Sequence, residues 1–388
     1  MIRVSRNPKG IAGRRGAVLV QVAIMLVALT VFVALAVDVG VIATARAQLK
    51  TVADSAALAG ARQLASDRRI STTITDLTPE MNAATAEAMS AGYANTVLGH
   101  SPILYSSDIV IGYKNVTAPN ADPPDAAVST GGSPLQFNSV QVTASANIPA
   151  LFSATFRPNG STVSVTSTAT VELAQIKGFA IGTANTSILP IVMDLAGYTR
   201  MTQGLGADSY TFSSSGYNPP SSNGVSNGSD GVTESIAYPV AAQSGNWGTI
   251  KFGVSNSSTA TLNSQITYGI TPAEMLAEYP DGTNTVSIPH QFSANPGISA
   301  GIKGNLNGII GQAVTVPIYS SSGGSGSNAW YQVTSFASVR VVAVNMTGNP
   351  KYVVVQPALS VDPSAIPNTG GVMNTWSQGG VVFLHLSR

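Results

Sequence analysis

Ala17 to Val37 is an uncharged run of 21 residues, preceded by Arg3, Arg6, Lys9, Arg14 and Arg15 and followed by the first acid, Asp38. An apolar run of that length must be covered on all sides. At a rise of ~1.5 Å per residue it makes a helix of about 31 Å, which matches a hydrocarbon core of about 30 Å. The expectation is a transmembrane helix with the lipid bilayer as its first partner. The basic flank places the N-terminus in the cytoplasm by the positive-inside rule, with everything after about residue 42 on the other side. The topology and anchor residues are then Arg14, Arg15, Ala17, Val37 and Asp38, in a single-pass membrane protein.

A cleaved secretory signal has the same basic, apolar, small-residue plan, with an apolar region of about 7 to 15 residues. Ala34-Leu35-Ala36 and Ala43-Thr44-Ala45 both offer the A-x-A pattern, so cleavage stays open. Length argues for retention, as does the absence of Gly or Pro between Ala17 and Gly40. The helical pattern also continues through both sites. Asp38 to Ala65 contains no proline, and Arg46, Lys50 and Asp54 fall at i, i+4 spacing on one face. Other faces carry Ala53, Ala56, Ala57, Gly60 and Ala61, small residues that let another backbone or sheet approach closely. That stripe is expected to pack on the chain's own following domain, the alternative being an intermolecular helix bundle.

Thr78-Pro79-Glu80 has the form of a cap, a first-turn proline and a first-turn acid, and opens a second helix expected to run to about Leu98 and stop at Gly99. Then the period changes. Ile109 to Val116, Ser139 to Ile148 and Ser161 to Leu173 alternate with a period near two and are rich in Val, Thr and Ile, as half-buried strands are. Ala118 to Pro134 is proline-rich and reads as a loop. From about Gly178 a second, β-rich region is expected, with strands at Ile188 to Met193, Thr249 to Val254, Ala313 to Ile318, Tyr331 to Val344, Lys351 to Val355 and Val381 to Leu386. Two short helices are expected there, one capped by Thr271 and Glu274 and one over Ser299 to Ile310. Ser213 to Asp230, rich in Ser, Asn, Gly and Pro, reads as loop.

Only 10% of residues are charged and the net charge is +1, which leaves no electrostatic footprint for nucleic acid. With no cysteine there is no disulfide framework and no thiolate metal site. His100, His290 and His385 are far apart and lack a ligand partner at metal spacing. No P-loop appears, and no S-x-x-K pattern followed by a K-T-G box. Asp122 and Asp125 sit in a proline loop without EF-hand spacing. Asp194 ends an apolar run, where metal-dependent adhesion domains place a first ligand, but Leu195, Ala196, Gly197 and Tyr198 break the D-x-S-x-S pattern. No catalytic, cofactor or metal residue is expected.

Arg14-Arg15-Gly16, the apolar run, Asp38-Val39-Gly40, then Arg46, Leu49, Asp54 and Ala56-Ala57-Leu58-Ala59-Gly60-Ala61 resemble the N-terminal domain of TadE/TadG-like proteins of the Flp (Tad) pilus assembly system. The resemblance covers about residues 14 to 65, with Lys50 in place of a family glutamine and Ala43 where an aromatic is common. The strands Ser139 to Ile148 and Ser161 to Leu173, with Pro149 and Phe152 between them, look like the β segment that follows this helix in the group. Gly297 to Lys303 and the strands beyond look like the C-terminal part of some TadG-like proteins. The resemblance implies inner-membrane pilus assembly proteins or pilin subunits as partners. A processed pilin-like subunit, cut after Gly16, is an alternative, but the usual glutamate five residues after the cut is here Gln21. A membrane-tethered envelope hydrolase remains a third possibility.

The expectation is an α+β chain with a basic flank at 1–16 and a transmembrane helix with its amphipathic extension at 17–65. A small pilin-like α+β part at 66–177 and a β-rich extracytoplasmic domain at 178–388 complete it. Its function is non-catalytic assembly or anchoring of a Flp/Tad-type pilus.

Overall fold

The computed structural model describes residues 14–71, 74–115, 122–123, 126–152, 154, 159–213, 224–237, 248–253, 258–279, 282, 284–296, 300–348, 351–368 and 379–387. In chain order the elements are α1 (Arg14–Gln63), α2 (Thr78–Tyr93), β1 (Ile109–Gly112), β2 (Ser139–Ile148), β3 (Ser161–Ala174), β4 (Ile176–Ala180), β5 (Met193–Asp194), α3 (Leu195–Thr202), β6 (Tyr210–Phe212), β7 (Val225–Asn227), β8 (Ser235–Ile236) and β9 (Gly248–Ile250). There follow α4 (Thr259–Tyr268), α5 (Pro272–Glu278), β10 (Thr285–Ser287), β11 (His290–Pro296), α6 (Lys303–Gly308), β12 (Ala313–Gly323), β13 (Trp330–Asn345), β14 (Tyr352–Pro357), β15 (Leu359–Ser360), β16 (Ala365–Pro367) and β17 (Gly380–Ser387). This is a mixed α+β chain whose long apolar helix precedes a β-rich region. The chain divides into two compact units: residues 1–56, 88–109 and 142–167, and residues 57–87, 110–141 and 168–388.

In the first unit α1 brings its helical backbone and little polar surface. Thr30 turns its hydroxyl back onto the Val27 carbonyl at 2.8 Å, so even this polar group is satisfied within the helix. Further along, Ala45, Leu49, Val52, Ala53 and Ala56 recur at three and four residues and are fully buried. The end of α2 lies beside this stripe. A Cβ built on Gly92 would stand 3.7 Å from the Ala56 methyl and would collide with the end of the Leu104 side chain, which would have to shift to admit it. Asn95 Nδ2 donates to Ser55 Oγ at 2.9 Å and the Leu98 amide to Gln48 Oε1 at 2.8 Å, which fixes an antiparallel register. Lys50 pairs with Asp54 at 2.6 Å, and Ser167 of β3 donates its hydroxyl to Asp54, which ties the helix to the hairpin.

α2 ends at Tyr93, a turn before the expected Leu98. Asn95 caps the Ala91 carbonyl with its side chain at 2.8 Å. Leu98 and Gly99 then take positive φ, of 50° and 83°, to reverse the chain between Val97 and His100. At the helix start the Thr78 amide donates to the Asp76 carboxylate at 2.8 Å, so the cap precedes the expected one.

β13 organises the second unit. It pairs antiparallel with β12 from Ala313↔Arg340 to Gly323↔Trp330, with β11 at one end and with β14 at the other. These belong to a ten-stranded sheet; a five-stranded sheet is ordered β1-β2-β3-β17-β15, and β6 and β7 form a pair of their own. Ile318 faces Ser335 and Tyr319 faces Val333, so Thr334 is an extra residue on β13. One inserted residue reverses which side chains face which side. Tyr331, Val333 and Phe336 therefore share one core with Phe179, Phe252, Phe292 and Met275 of α5. Ala337, Val339 and Val341 share the other with Met201 of α3, Leu262 and Ile266 of α4 and Leu306 of α6.

Ile188 to Met193 is not one strand. Isolated bridges join Ile188 to Thr315 and Ile191 to Thr249, and only Met193–Asp194 pairs in a ladder. Pro190 has no amide to donate and interrupts the pairing. α3 and α4 were not expected. α4 lacks a strong apolar period, and its start signal is the side chain of Ser258, which accepts from the Thr261 amide. Thr271 and Glu274 form the expected capping box of α5. The helix read at Ser299 to Ile310 is a 3-10 turn at Ala300–Ile302 followed by α6, and Ser299 lies outside the described residues.

Candidate functional site

The first half of α1 is unlike the rest of the fold. From Val18 to Val37 its large apolar side chains are 40–75% exposed. Among the described residues Val18–Gln63 is the one helix long and apolar enough to cross a membrane, by length and composition. Arg14, Arg15 and Gly16 form its first turn, followed by Ala17, and the side chains of Arg14, Arg15 and Ala17 lie outside the described residues. Gln21 is exposed. Val37 is 40% exposed, and Asp38, one residue later, is buried.

Asp38 is buried because its carboxylate has a task. Its Oδ1 accepts from the backbone amides of Leu151 and Phe152, both at 3.2 Å, at the tip of the β2-β3 hairpin. Phe152 lines an apolar groove with Leu29, Thr30, Val31, Val33 and Ala34, and is itself 60% exposed. The sequence reading placed Asp38 as the end of the apolar run and did not find this partner. The available signal was the uncharged Ile148-Pro149-Ala150-Leu151-Phe152 at a hairpin tip, where polar turn residues are the rule.

The small-residue stripe is buried as well. Ala53, Ala56, Ala57 and Ala61 are at 0% exposure, and Gly60 is buried. Gly92 of α2, which carries no mark in the sequence, faces Ala56.

The second unit holds a cleft of about 500 Å³, lined by Asp67, Arg68, Thr211, Phe212, Asp230 and Arg340 among others. Two of its charges, Asp67 and Arg340, are engaged with each other. Arg340 donates to Asp67 at 2.7 Å and to the Gly311 carbonyl, and its guanidinium lies 3.6 Å from the centre of the Phe212 ring. Burial pushes the Asp67 carboxyl up and the Arg340 guanidinium down, and each charge opposes the shift of the other. Nearby, three acids act as clips on the backbone that flanks the β6-β7 pair. Asp208 accepts from the Asp230 and Gly231 amides, Asp230 from Phe212 and Val232, and Glu234 from Ser209 and Tyr210, at 2.7–3.2 Å. Ser213 to Asp230, read as loop, thus contains one short strand, β7, which pairs with β6 just ahead of it, and 214–223 lie outside the described residues.

Asp194 caps α3, accepting from the Gly197 amide at 2.7 Å. His290 pairs with Glu278 at 2.9 Å, and His385 lies 3.8 Å from Glu172. Asp122 accepts from the Asn115 amide at 2.7 Å, and Asp125 lies outside the described residues. Among the described residues no group of three or more His, Asp or Glu is placed to hold a metal ion.

What distinguishes this molecule is therefore the helix that begins as an exposed apolar span and ends as a buried small-residue stripe. Residues 16–63 match the family model of putative Flp pilus-assembly TadE/G-like proteins. The matched segment coincides with α1 except for Arg14 and Arg15, so it contains Gln21, Val37, Asp38 and every stripe residue. Its match ends where α1 ends. Nothing among curated proteins or solved structures matches the chain.

Proposed function

We propose that this chain is a membrane-anchored, non-catalytic accessory protein in the assembly or anchoring of a Flp/Tad-type pilus. The observation that carries the reading is the TadE/G-like match falling on a helix that is long and apolar enough to span. The bilayer holds Ala17 to Val37, Arg14 and Arg15 hold the N-terminus in the cytoplasm, and the remainder lies outside. Ala53, Ala56, Ala57, Gly60 and Ala61 are small enough to let neighbouring backbone approach α1 closely. The division into 1–16, 17–65, 66–177 and 178–388 belongs to this proposal, with composition shifts as its support. Inner-membrane pilus assembly proteins or pilin subunits are the partners.

The protein should be purified from detergent-solubilised native membranes and its companions identified by mass spectrometry. Proteins of the inner-membrane pilus platform are expected. A preparation that retains none of them contradicts the reading. The same sample distinguishes an accessory protein from a processed subunit by intact mass. Gln21 cannot supply the negative charge that would neutralise a neighbouring N-terminal amine, so retention of residues before Ala17 is expected. A chain starting at Ala17 would make this a pilin-like subunit of the filament.

A further inference from the structure

We propose that the tip of the β2-β3 hairpin is a second membrane contact: Leu151 and Phe152 insert into the leaflet on the Asp38 side of the bilayer, beside α1. The inference rests on the reading of Ala17 to Val37 as a membrane span. Depth along the helix carries it. At ~1.5 Å per residue, Ala34 and Leu29 lie about 6 Å and about 14 Å from the level of Asp38 towards the middle of the span. Phe152 lines one groove with exactly these turns of α1. A ring beside Leu29 to Ala34 shares their depth, so lipid that covers those residues reaches Phe152 too.

Three further observations agree with lipid as the occupant. Leu151 and Phe152 are 57% and 60% exposed, and the stretch from Ile148 to Phe152 carries no charge. An exposed aromatic at the edge of a span is at home in the interface, where aromatic belts form. Non-helical backbone entering a membrane must have its amides satisfied by protein. Asp38 does that, with one carboxylate oxygen on the two amides of Leu151 and Phe152. The first acid after the apolar run thereby positions the hairpin tip at the membrane boundary, and two points of contact restrain how the helix rotates and tilts. A second protein helix in the same groove is the competing occupant, and it would leave Phe152 out of contact with acyl chains in vesicles that contain this chain alone.

The chain has no cysteine, so single thiols can be introduced and labelled with a bimane fluorophore. Phe152→Cys is the test, with Leu151→Cys as a second position should the first disturb folding. Val33→Cys reports the span, and Tyr268→Cys, 72% exposed in the second unit, reports water. Each full-length protein is reconstituted in vesicles of phosphatidylethanolamine and phosphatidylglycerol. Emission from positions 152 and 151 should be roughly halved by brominated acyl chains, as at position 33, and shielded from aqueous iodide. Position 268 should respond to iodide only. Strong quenching at 33 with 152 and 151 behaving like 268 overturns the hairpin insertion and leaves the span intact. Absence of lipid quenching at 33 overturns the span and the insertion with it.

Discussion

Arg69 is buried, yet the sequence marks it only as one of two adjacent arginines. Its guanidinium donates to the carbonyls of Leu64, Leu135 and Phe137 at 2.8–3.1 Å, closing the end of α1 against the turn at Pro134–Gln136. Burial pushes its pKa down to about 9 against the pull of Glu80. Arg69→Ala would strand these acceptors, and at about 1–3 kcal/mol for each buried polar group left unpaired the loss should exceed that of an ordinary surface substitution severalfold. Urea unfolding of the purified protein measures it, and a change within the surface range would refute the clasp. Glu234 makes a second test. Burial raises its carboxyl, the amides of Ser209 and Tyr210 lower it, and the charges of Asp208 and Asp230 raise it again. An acid with a raised folded-state pKa binds its proton more tightly folded than unfolded, so its contribution to stability is greatest below the unfolded value and falls as pH rises through the folded one. Glu234→Gln should therefore weaken the decline of stability from about pH 4 upward, while costing about 1–3 kcal/mol through the amide–amide clash it introduces. An unchanged pH slope in thermal melts would show that Glu234 does not carry it.

At the scale of elements, α1 was readable because a long uncharged apolar run leads, with no proline, into a stripe of small residues, and β2, β3, β12 and β13 because they are rich in Val, Thr and Ile with a period near two, while β17 stands out as a short run of Val, Phe and Leu. Short elements were hidden. α3 and α4 depend on the side-chain caps Asp194 and Ser258 more than on an apolar stripe, and the reversal of faces along β13 follows from an extra Thr334 that only its partner strand reveals. The helix contact was half readable. The Ala/Gly stripe of α1 stands out in the sequence, whereas Gly92 shows its importance only through Leu104 and Ala56, remote in sequence. Overpacking costs about 1–3 kcal/mol per site. Ala57→Leu, Gly60→Leu and Gly92→Leu should each lower the unfolding midpoint, and Gly92→Leu should also loosen the Asn95–Ser55 register. Hydrogen exchange at residues 45–56 and 88–98 reads the loosening, and full protection in Gly92→Leu would mean that the contact tolerates bulk.

For the whole molecule, the sequence carried the long apolar helix and the family likeness because both reside in consecutive residues. It could not carry the Asp38 link to Leu151 and Phe152, the Asp67–Arg340 pair or the carboxylate clips, whose partners are brought together only by the fold. The proposed topology predicts that alkaline phosphatase fused after residue 180 is active and remains with membranes after a carbonate wash. An inactive fusion would reverse the orientation, and washed-off activity would remove the anchor. The central claim, support of a pilus from the membrane, is tested most directly by counting surface pili on cells that lack the gene and on the same cells carrying it back. The account predicts that pili are lost or sharply reduced without the gene and return with the full chain. Normal numbers of pili in its absence would contradict the account.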